Sequence, residues 1–354
     1  MNNSPTTLQQ IRPQLPVRLF NGFGALLKKT RIRPTRLVAT ELIETAKQRC
    51  GLDDFGEGNF FEALSRLLES CQDEARLNLI GKIALKTDVL ETLCSRLQMG
   101  RDRQLYPDIT HQALREPLFI VGLPRSGTSV LHRLLGADPE HRCPLMWEVR
   151  SPSPPTRADE KRRMQSAIQS CKFFNWLVPT FRYVHAVGAE VPQECVSLMT
   201  PTFLSDQFDA MASVSSLVTV LRSAFSDAVD ASIVCREAID YWSETMDTFL
   251  SERDRWANNR ICDIQYDEIR REPIRAVRRI YEYFDWSLSH QAERRMRVLV
   301  ASQAKRQSAN HRYDLTQFGS PAGEVLSVFA TYCQRFGLAQ PSTVQQKQAS
   351  RSVA

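Results

Sequence analysis

An apolar segment, a glycine-containing turn and a helical pattern follow one another in this chain, and together they constrain its fold more than any other feature. Residues Leu118 to Val121 are apolar, and the turn after them contains Gly122 and Gly127. Apolar residues then recur at helical spacing: Val130, Leu131, Leu134 and Leu135. This order predicts a strand, a tight loop and a helix, an arrangement that can hold a phosphate-like anion at the helix N-terminus.

The loop departs from the GxxxxGK[ST] nucleotide-binding motif at one position. That motif places a lysine after its second glycine, whereas this chain has Thr128, and the only cation of the loop is Arg125. A phosphate or a phosphosulfate would be held by the backbone N–H groups of Arg125 to Ser129, by the hydroxyls of Thr128 and Ser129 and by the Arg125 guanidinium. The alternative is a turn that only connects the strand to the helix, and such a turn would need fewer hydrogen-bond donors. The missing lysine and the lack of a metal-holding acid disfavour ATP with Mg²⁺.

Composition narrows the class of protein. The chain has 354 residues, enough for a sizeable core, and a net charge of +6, which suits an anionic ligand but predicts no nucleic-acid partner. Its nine cysteines are odd in number and widely spaced, which indicates reduced thiols. The sequence has neither a signal peptide nor a transmembrane segment, so we predict a cytoplasmic protein. The basic run Lys28–Arg36 is interpreted as a solvated, flexible arm.

The patterns along the chain predict four parts: a flexible segment at 1–35, a helical region at 36–112, an α/β domain at 113–338 and a disordered tail at 339–354. Residues at helical spacing support the second part: Phe60, Leu64, Leu67 and Cys71. In the third part, "RICDIQYDEI" (260–269) predicts a strand, and Pro273 begins a helix. A helix is also predicted through Leu217, Leu221 and Phe225. The predicted fold class is α/β, with a P-loop-like parallel sheet flanked by helices and an N-terminal helical region.

The segment "VGLPRSGTSVLHRLLGADPEHRCPLMWEV" (121–149) resembles the 5′-phosphosulfate loop of sulfotransferases that use 3′-phosphoadenosine 5′-phosphosulfate (PAPS). It is most similar to the branch that reads P-R-S-G-T-T. Other pieces resemble the same branch in order along 36–338: "GLDDFGEGNFFEAL", "PQECVSLM", "MASVSSLVTVLRSAFSDAVD", "RRIYEYFDW" and "HRYDLTQFG". The resemblance implies a PAPS-dependent sulfotransferase. Sulfuryl transfer from PAPS needs no metal, so PAPS is the expected co-substrate.

The resemblance also implies roles for individual residues. Those expected to bind the 5′-phosphate and the sulfuryl group are Arg125, Ser126, Gly127, Thr128 and Ser129. Glu148 stands where related enzymes carry the glutamate that accepts the proton of the acceptor hydroxyl, although a surface or salt-bridged glutamate is the structural alternative. Ser213 matches the serine that binds the 3′-phosphate. His132 and His141 are interpreted as surface or packing residues.

The chain departs from the pattern of the family that it resembles before Ser213. The family carries an arginine eight residues before that serine, and this chain has Ser205 there. The preceding Lys-Ala-Pro strand is absent as well, so we predict an internal shortening near 200–212 that removes two strands. Arg222 is a candidate replacement for the missing cation. These losses predict a poor or inactive enzyme.

The acceptor is not named by the sequence. The segment "CKFFNWLVPTFRYVHAV" (171–187) carries four aromatic side chains that indicate either an apolar or aromatic acceptor or simply a core: Phe173, Phe174, Trp176 and Phe181. His185 is a candidate for the same pocket. Two other functions stay open, namely a nucleotide kinase with an unusual loop and a non-catalytic nucleotide-binding remnant.

Overall fold

The computed structural model describes residues 21–22, 36–123, 126–154, 156–157, 159–179, 187–204, 225–226, 230–256, 260–306 and 322–338. The α-helices of the described residues are, in chain order, α1 (Ala39–Cys50), α2 (Phe60–Asp73), α3 (Leu79–Leu105), α4 (Thr128–Leu135), α5 (Met146–Arg150), α6 (Glu160–Leu177), α7 (Ala231–Arg253), α8 (Tyr266–Arg271), α9 (Pro273–Tyr283), α10 (His290–Arg306), α11 (Ala322–Val328) and α12 (Ala330–Arg335). Two 3₁₀ helices span Pro107–His111 and Cys195–Thr202. None of the described helices is long and apolar enough to cross a membrane.

Helices α1 to α3 share one apolar core, in the region where the sequence predicts helices. The apolar face of α2 is buried through Leu64, Leu68 and Cys71, and that of α3 through residues such as Leu85 and Leu93. Burying side chains of this size supplies the main free energy of folding, about 1.5–3 kcal/mol for each.

The start of α3 is held against a distant segment. The Asn78 side chain accepts a hydrogen bond from the backbone N–H of Gly81 at 2.8 Å, which caps the helix, and the Asn78 backbone N–H donates to the carbonyl of Phe225 at 2.9 Å. Gly81 packs directly on that carbonyl, so a Cβ at this position would overlap the carbonyl oxygen. The glycine is therefore required by the close approach of the two backbones.

The Gly81→Ala variant is expected to lower the free energy of unfolding by roughly 1–3 kcal/mol, because the atoms that the new methyl group would meet are backbone atoms. Urea unfolding followed by circular dichroism measures the effect. Thr87→Ala changes an exposed residue of the same helix and serves as the control. Equal unfolding midpoints for Gly81→Ala and the wild type would contradict this account of the contact.

A second apolar core lies under the predicted anion loop. It is formed by α4, α9 and α10, with Leu134, Ala276, Val277 and Met296 almost fully buried. The buried carboxylate of Asp138 accepts a hydrogen bond from the Tyr281 hydroxyl at 2.5 Å, which ties the turn after α4 to α9. This core gives the loop a rigid support. Pro273 is the first residue of α9, as the sequence predicts.

The two strands predicted from the sequence are not seen as members of a ladder in the described part of the chain. Residues 118–121 and 261–265 lack helical structure, and the described residues hold only two isolated bridges, Leu77 with Ser226 and Leu145 with Pro192. Alternation predicts an extended backbone, but a ladder also requires a partner strand about 4.8 Å away. Of the helix predicted through Leu217, Leu221 and Phe225, only Phe225 lies within the described residues.

The predicted strand at 260–269 is wrong beyond Gln265, because α8 begins at Tyr266. Two acidic residues, Asp267 and Glu268, occupy the first turn of this helix, where they interact favourably with its dipole. Asp267 also pairs with Arg271 one turn later, at 3.1 Å. These local interactions outweigh the weak alternation of the segment.

Candidate functional site

The predicted anion loop ends in a helix N-terminus. Gly127 has a φ of 91°, a left-handed conformation that favours glycine, and α4 starts at the next residue, Thr128. The backbone N–H of Ser126 donates to the Leu123 carbonyl at 3.1 Å, which closes the turn. Two residues of the loop, Pro124 and Arg125, lie outside the described residues.

The loop folds back tightly over the start of α4. A Cβ on Gly122 would lie 2.8 Å from the Ser126 Oγ and 3.0 Å from the Thr128 Cγ2, so only glycine fits there without a shift. A helix cannot satisfy its own first N–H groups, and those of Thr128 and Ser129 are therefore available to a ligand. Backbone donors, two hydroxyls and the helix dipole converge here, as an anion requires.

Helix α8 covers the other side of Gly127. A Cβ on this glycine would lie 3.3 Å from Ile269 and 3.4 Å from Tyr266. Ile269 is buried in the core that supports α4, whereas half of the Tyr266 side chain is exposed. The glycine thus lets α8 approach the loop closely, and the Tyr266 ring stands at the edge of the candidate site.

Glu148, the predicted base, uses both carboxylate oxygens within its own neighbourhood. Its Oε1 pairs with the Arg142 Nη2 at 2.8 Å, and its Oε2 accepts the backbone N–H of Leu145 at 2.9 Å. The second bond caps α5, the short helix that carries Glu148. About a quarter of the side chain is exposed, at 26%. These contacts are those of a salt-bridged, structural glutamate, and its role as a base stays a prediction.

Helix α5 is fixed from two sides. On one side, the backbone N–H groups of Met146 and Trp147 donate to the carbonyls of Val191 and Ala189, both at 3.1 Å. On the other side, the Arg150 guanidinium pairs with two acidic residues of α3: Glu91 at 2.6 Å and Asp88 at 3.7 Å. Helix α3 and the segment before the 3₁₀ helix Cys195–Thr202 therefore hold α5 in place together.

The structure adds a carboxylate that the sequence analysis missed. Glu194 immediately precedes the 3₁₀ helix Cys195–Thr202, and its Oε1 accepts a hydrogen bond from the Ser129 Oγ at 3.3 Å. Its carboxylate also interacts with His132, one turn along α4: burial lowers the pKa of His132, and Glu194 opposes that shift. Glu194 belongs to the "PQECVSLM" piece of the family resemblance, which was the signal available in the sequence.

The remaining predicted residues divide into two groups. Those outside the described residues are Arg125, Phe181, His185, Ser205, Ser213 and Arg222. Among the others, the His141 ring packs on Tyr281 and Trp286, at centroid distances of 5.6 and 5.0 Å, so it is a packing residue as predicted. Phe174 packs against the core of the first three helices.

Two aromatic residues of α6 remain available to a ligand. Phe173 is 62% exposed and Trp176 is 47% exposed, and their rings stack with centroids 5.9 Å apart. Other large aromatic side chains of the described residues are similarly exposed, such as Phe119 at 67% and Trp256 at 54%, but they do not form such a stacked pair.

The chain is similar to known proteins both in sequence and in fold. The family model described as "Sulfotransferase family" matches residues 117–220 and 206–290. The fold is similar to that of the sulfotransferase STF9 from Mycobacterium avium, with a TM-score of 0.73 and 21% identity over 86% of this chain and 98% of that one. It is also similar to the sulfotransferase STF1 from Mycobacterium tuberculosis H37Rv, with a TM-score of 0.65 and 22% identity over 83% and 98% of the two chains. No curated relative matches significantly.

A glycine-containing loop folded over a helix N-terminus thus lies within a fold similar to that of two solved sulfotransferases. The match to the family model covers that loop and the helices around it. The chain belongs to the sulfotransferase family and is a transferase.

Proposed function

We propose that this protein transfers a sulfuryl group from PAPS to a hydroxyl or amine of a small apolar or aromatic acceptor. The observation that carries the proposal is the loop from Gly122 to Gly127, folded back over the N-terminus of α4. It offers N–H groups, hydroxyls and a positive dipole end to one anion. Family membership supports a phosphosulfate as that anion, since the matched residues include this loop.

In this proposal, different residues bind the two phosphate-bearing ends of PAPS. The loop residues Ser126 to Ser129, with the Arg125 guanidinium, bind the 5′-phosphate and the sulfuryl group. Ser213 binds the 3′-phosphate. The loop would follow a strand of a P-loop-like parallel sheet. Hydrogen-bond donors of the protein, without a metal ion, would balance the negative charge of the sulfuryl group during its transfer.

Exposed aromatic side chains support the proposed class of acceptor. Phe173 and Trp176 together present a stacked, accessible apolar surface on α6. An aromatic or lipid-like body would bury this surface, with a gain of about 25 cal/mol for each Å² removed from water. The acceptor therefore combines an apolar body with one nucleophilic hydroxyl or amine.

Transfer to a hydroxyl also requires a group that accepts the hydroxyl proton. Glu148 is the carboxylate that the family resemblance assigns to this step. To act, it would have to release Arg142 and the backbone N–H of Leu145, to which its two oxygens are bonded. The assignment to Glu148 thus requires a rearrangement of α5 when the acceptor binds.

Ligand-dependent thermal unfolding tests the proposed function. PAPS or its product 3′,5′-ADP, at a hundred times its dissociation constant, is expected to stabilise the protein by about 2.7 kcal/mol, whereas Mg·ATP at the same concentration has little effect. Selective stabilisation by Mg·ATP would instead favour a nucleotide kinase. Stabilisation by none of these ligands would favour a protein that no longer binds nucleotides.

A further inference from the structure

Two cysteine side chains of the N-terminal helices contact each other. Cys50 is the last residue of α1, and Cys94 lies within α3. Their thiols are hydrogen-bonded, although the two residues are distant in sequence. Both cysteines are free and half-buried, at the edge of the core that α1 to α3 share. A small solute can therefore reach the pair.

The packing of α1 on α3 holds the two thiols together. Ala46, one turn before Cys50, and Leu90, one turn before Cys94, are both buried in the shared core. Gly51 ends α1 directly after Cys50, in a left-handed conformation with a φ of 63°. Both cysteines thus lie on helices whose relative position is set by buried apolar side chains.

Thiols that already touch are placed for a disulfide. The two sulfur atoms of a disulfide lie about 2.05 Å apart, so two hydrogen-bonded thiols need only a short further approach. A second thiol within reach also decides the product of oxidation. It converts a sulfenic acid into a disulfide, which a thiol reductant reverses, before the sulfur is oxidised further to irreversible acids.

The two thiols differ in their readiness to react. Burial, and next the hydrogen bond with Cys50, raise the pKa of Cys94 to about 12. The nearby charges of Arg49 and Glu91 act on this pKa in opposite directions, Arg49 lowering it and Glu91 raising it. The Cys94 thiol is therefore un-ionised at neutral pH, whereas a cysteine reacts with an oxidant as the thiolate. Cys50 is the thiol that we expect to be oxidised first.

We propose that Cys50 and Cys94 are a modification site, at which peroxides form a reversible disulfide between α1 and α3. The Cys50 sulfur attacks one oxygen of hydrogen peroxide, the O–O bond breaks, and a sulfenic acid and one water molecule form. The Cys94 sulfur then displaces the hydroxyl group from the Cys50 sulfur, and the Cys94 proton leaves with that group as a second water molecule. The two thiols lose two electrons and two protons, and the peroxide is reduced to water.

The disulfide would restrain the loop at 51–59, which follows Cys50 and leads to α2. Arg96, also in α3, holds this loop from its other end, because its Nη2 donates to the Glu57 carbonyl. The Nη1 of the same arginine donates to the Pro201 carbonyl at 3.0 Å, at the end of the 3₁₀ helix Cys195–Thr202. Oxidation would therefore stiffen a loop that Arg96 joins to this 3₁₀ helix.

Peptide mapping of the full chain tests the proposal. The protein is treated with hydrogen peroxide, quenched with catalase, alkylated and digested with trypsin without reduction. Trypsin places the two cysteines in peptides 50–66 and 87–96, each with a single cysteine. We expect these two peptides to be joined in the oxidised wild type, on a chain that stays monomeric in a non-reducing gel. Dithiothreitol should separate them.

Serine variants identify the order of reaction. In Cys94→Ser the joined peptides should be absent, and dimedone should label the sulfenic acid that stays on Cys50. In Cys50→Ser, dimedone should not label Cys94. Cys195→Ser removes an exposed thiol elsewhere and is the matched control, so it should give the same joined peptides as the wild type.

Two further measurements follow the restraint itself. The oxidised wild type should unfold a few degrees higher than the reduced protein, because the cross-link constrains the unfolded chain. Amide hydrogen exchange at 51–59 should be slower in the oxidised form.

The proposal would be overturned by oxidised wild type without joined peptides, by a linkage found only between two chains, or by a linkage that dithiothreitol does not reverse. Equal exchange at 51–59 in both forms would refute the restraint of the loop. None of these measurements depends on nucleotide binding, so the proposed function and this proposal can fail separately.

Discussion

The Arg125→Ala variant is expected to bind PAPS and 3′,5′-ADP far more weakly than the wild type while it keeps its fold. Arg125 is the only cation between Gly122 and Ser129 in the sequence. A charge-assisted, two-pronged bond to phosphate contributes about 1.5–3 kcal/mol, which corresponds to a change of roughly ten- to more than a hundredfold in affinity. The N–H groups of α4 remain in the variant, but neutral donors alone hold a dianion weakly.

Titration calorimetry with 3′,5′-ADP measures this loss, and thermal unfolding without ligand checks the fold. Arg133→Ala is the matched control, because it removes one positive charge from the last turn of α4, away from the loop. Its affinity for 3′,5′-ADP should stay close to that of the wild type. An unchanged affinity in Arg125→Ala would show that the anion binds elsewhere and would reject the assignment of the loop.

Weak discrimination between nucleotides with and without a 3′-phosphate is the second expected result, together with slow turnover. By the family resemblance, Ser205 is expected to stand where the family carries the arginine that binds this phosphate, and Ser213 would offer only one hydroxyl. A dianion bound by neutral donors gains much less free energy than one bound by an arginine fork.

Competition experiments measure this second prediction. Inhibition constants of 3′,5′-ADP and 5′-AMP against labelled PAPS should differ by less than about tenfold, the equivalent of roughly 1.4 kcal/mol. Sulfate transfer to phenols, alcohols and amines should be slow. A strong preference for 3′,5′-ADP with rapid turnover would refute the prediction and would indicate that another cation replaces the missing arginine. Arg222→Ala is then the first variant to examine.

The exposed apolar segment before the loop, residues 118–121, is relevant to the predicted loss of two strands. Phe119 and Val121 are 67% and 57% exposed, although the sequence predicts them in a strand. A strand without a partner leaves backbone N–H and C=O groups open to pairing with another chain, which favours aggregation. Low solubility of the purified protein would be consistent with the predicted loss of neighbouring strands.

Local sequence determined the parts of this protein that depend on neighbours along the chain. Gly122, Gly127 and the apolar residues after them predicted the turn and the helix, and Pro273 predicted the start of α9. Such patterns are reliable because a turn, a cap or a helical face is decided within a few residues. The same locality explains the error at Tyr266, where weak alternation competed with a good helix start.

The tertiary structure alone decided which carboxylate meets the loop. Glu194 and Ser129 are 65 residues apart in sequence, and their contact depends on the backbone bonds that hold residues 189–193 against α5 and against Pro144, just before it. The family resemblance assigned Glu148 to the site, yet its oxygens are bonded to Arg142 and to the backbone N–H of Leu145. No local pattern encodes such choices, since a contact between distant segments depends on the packing of everything between them.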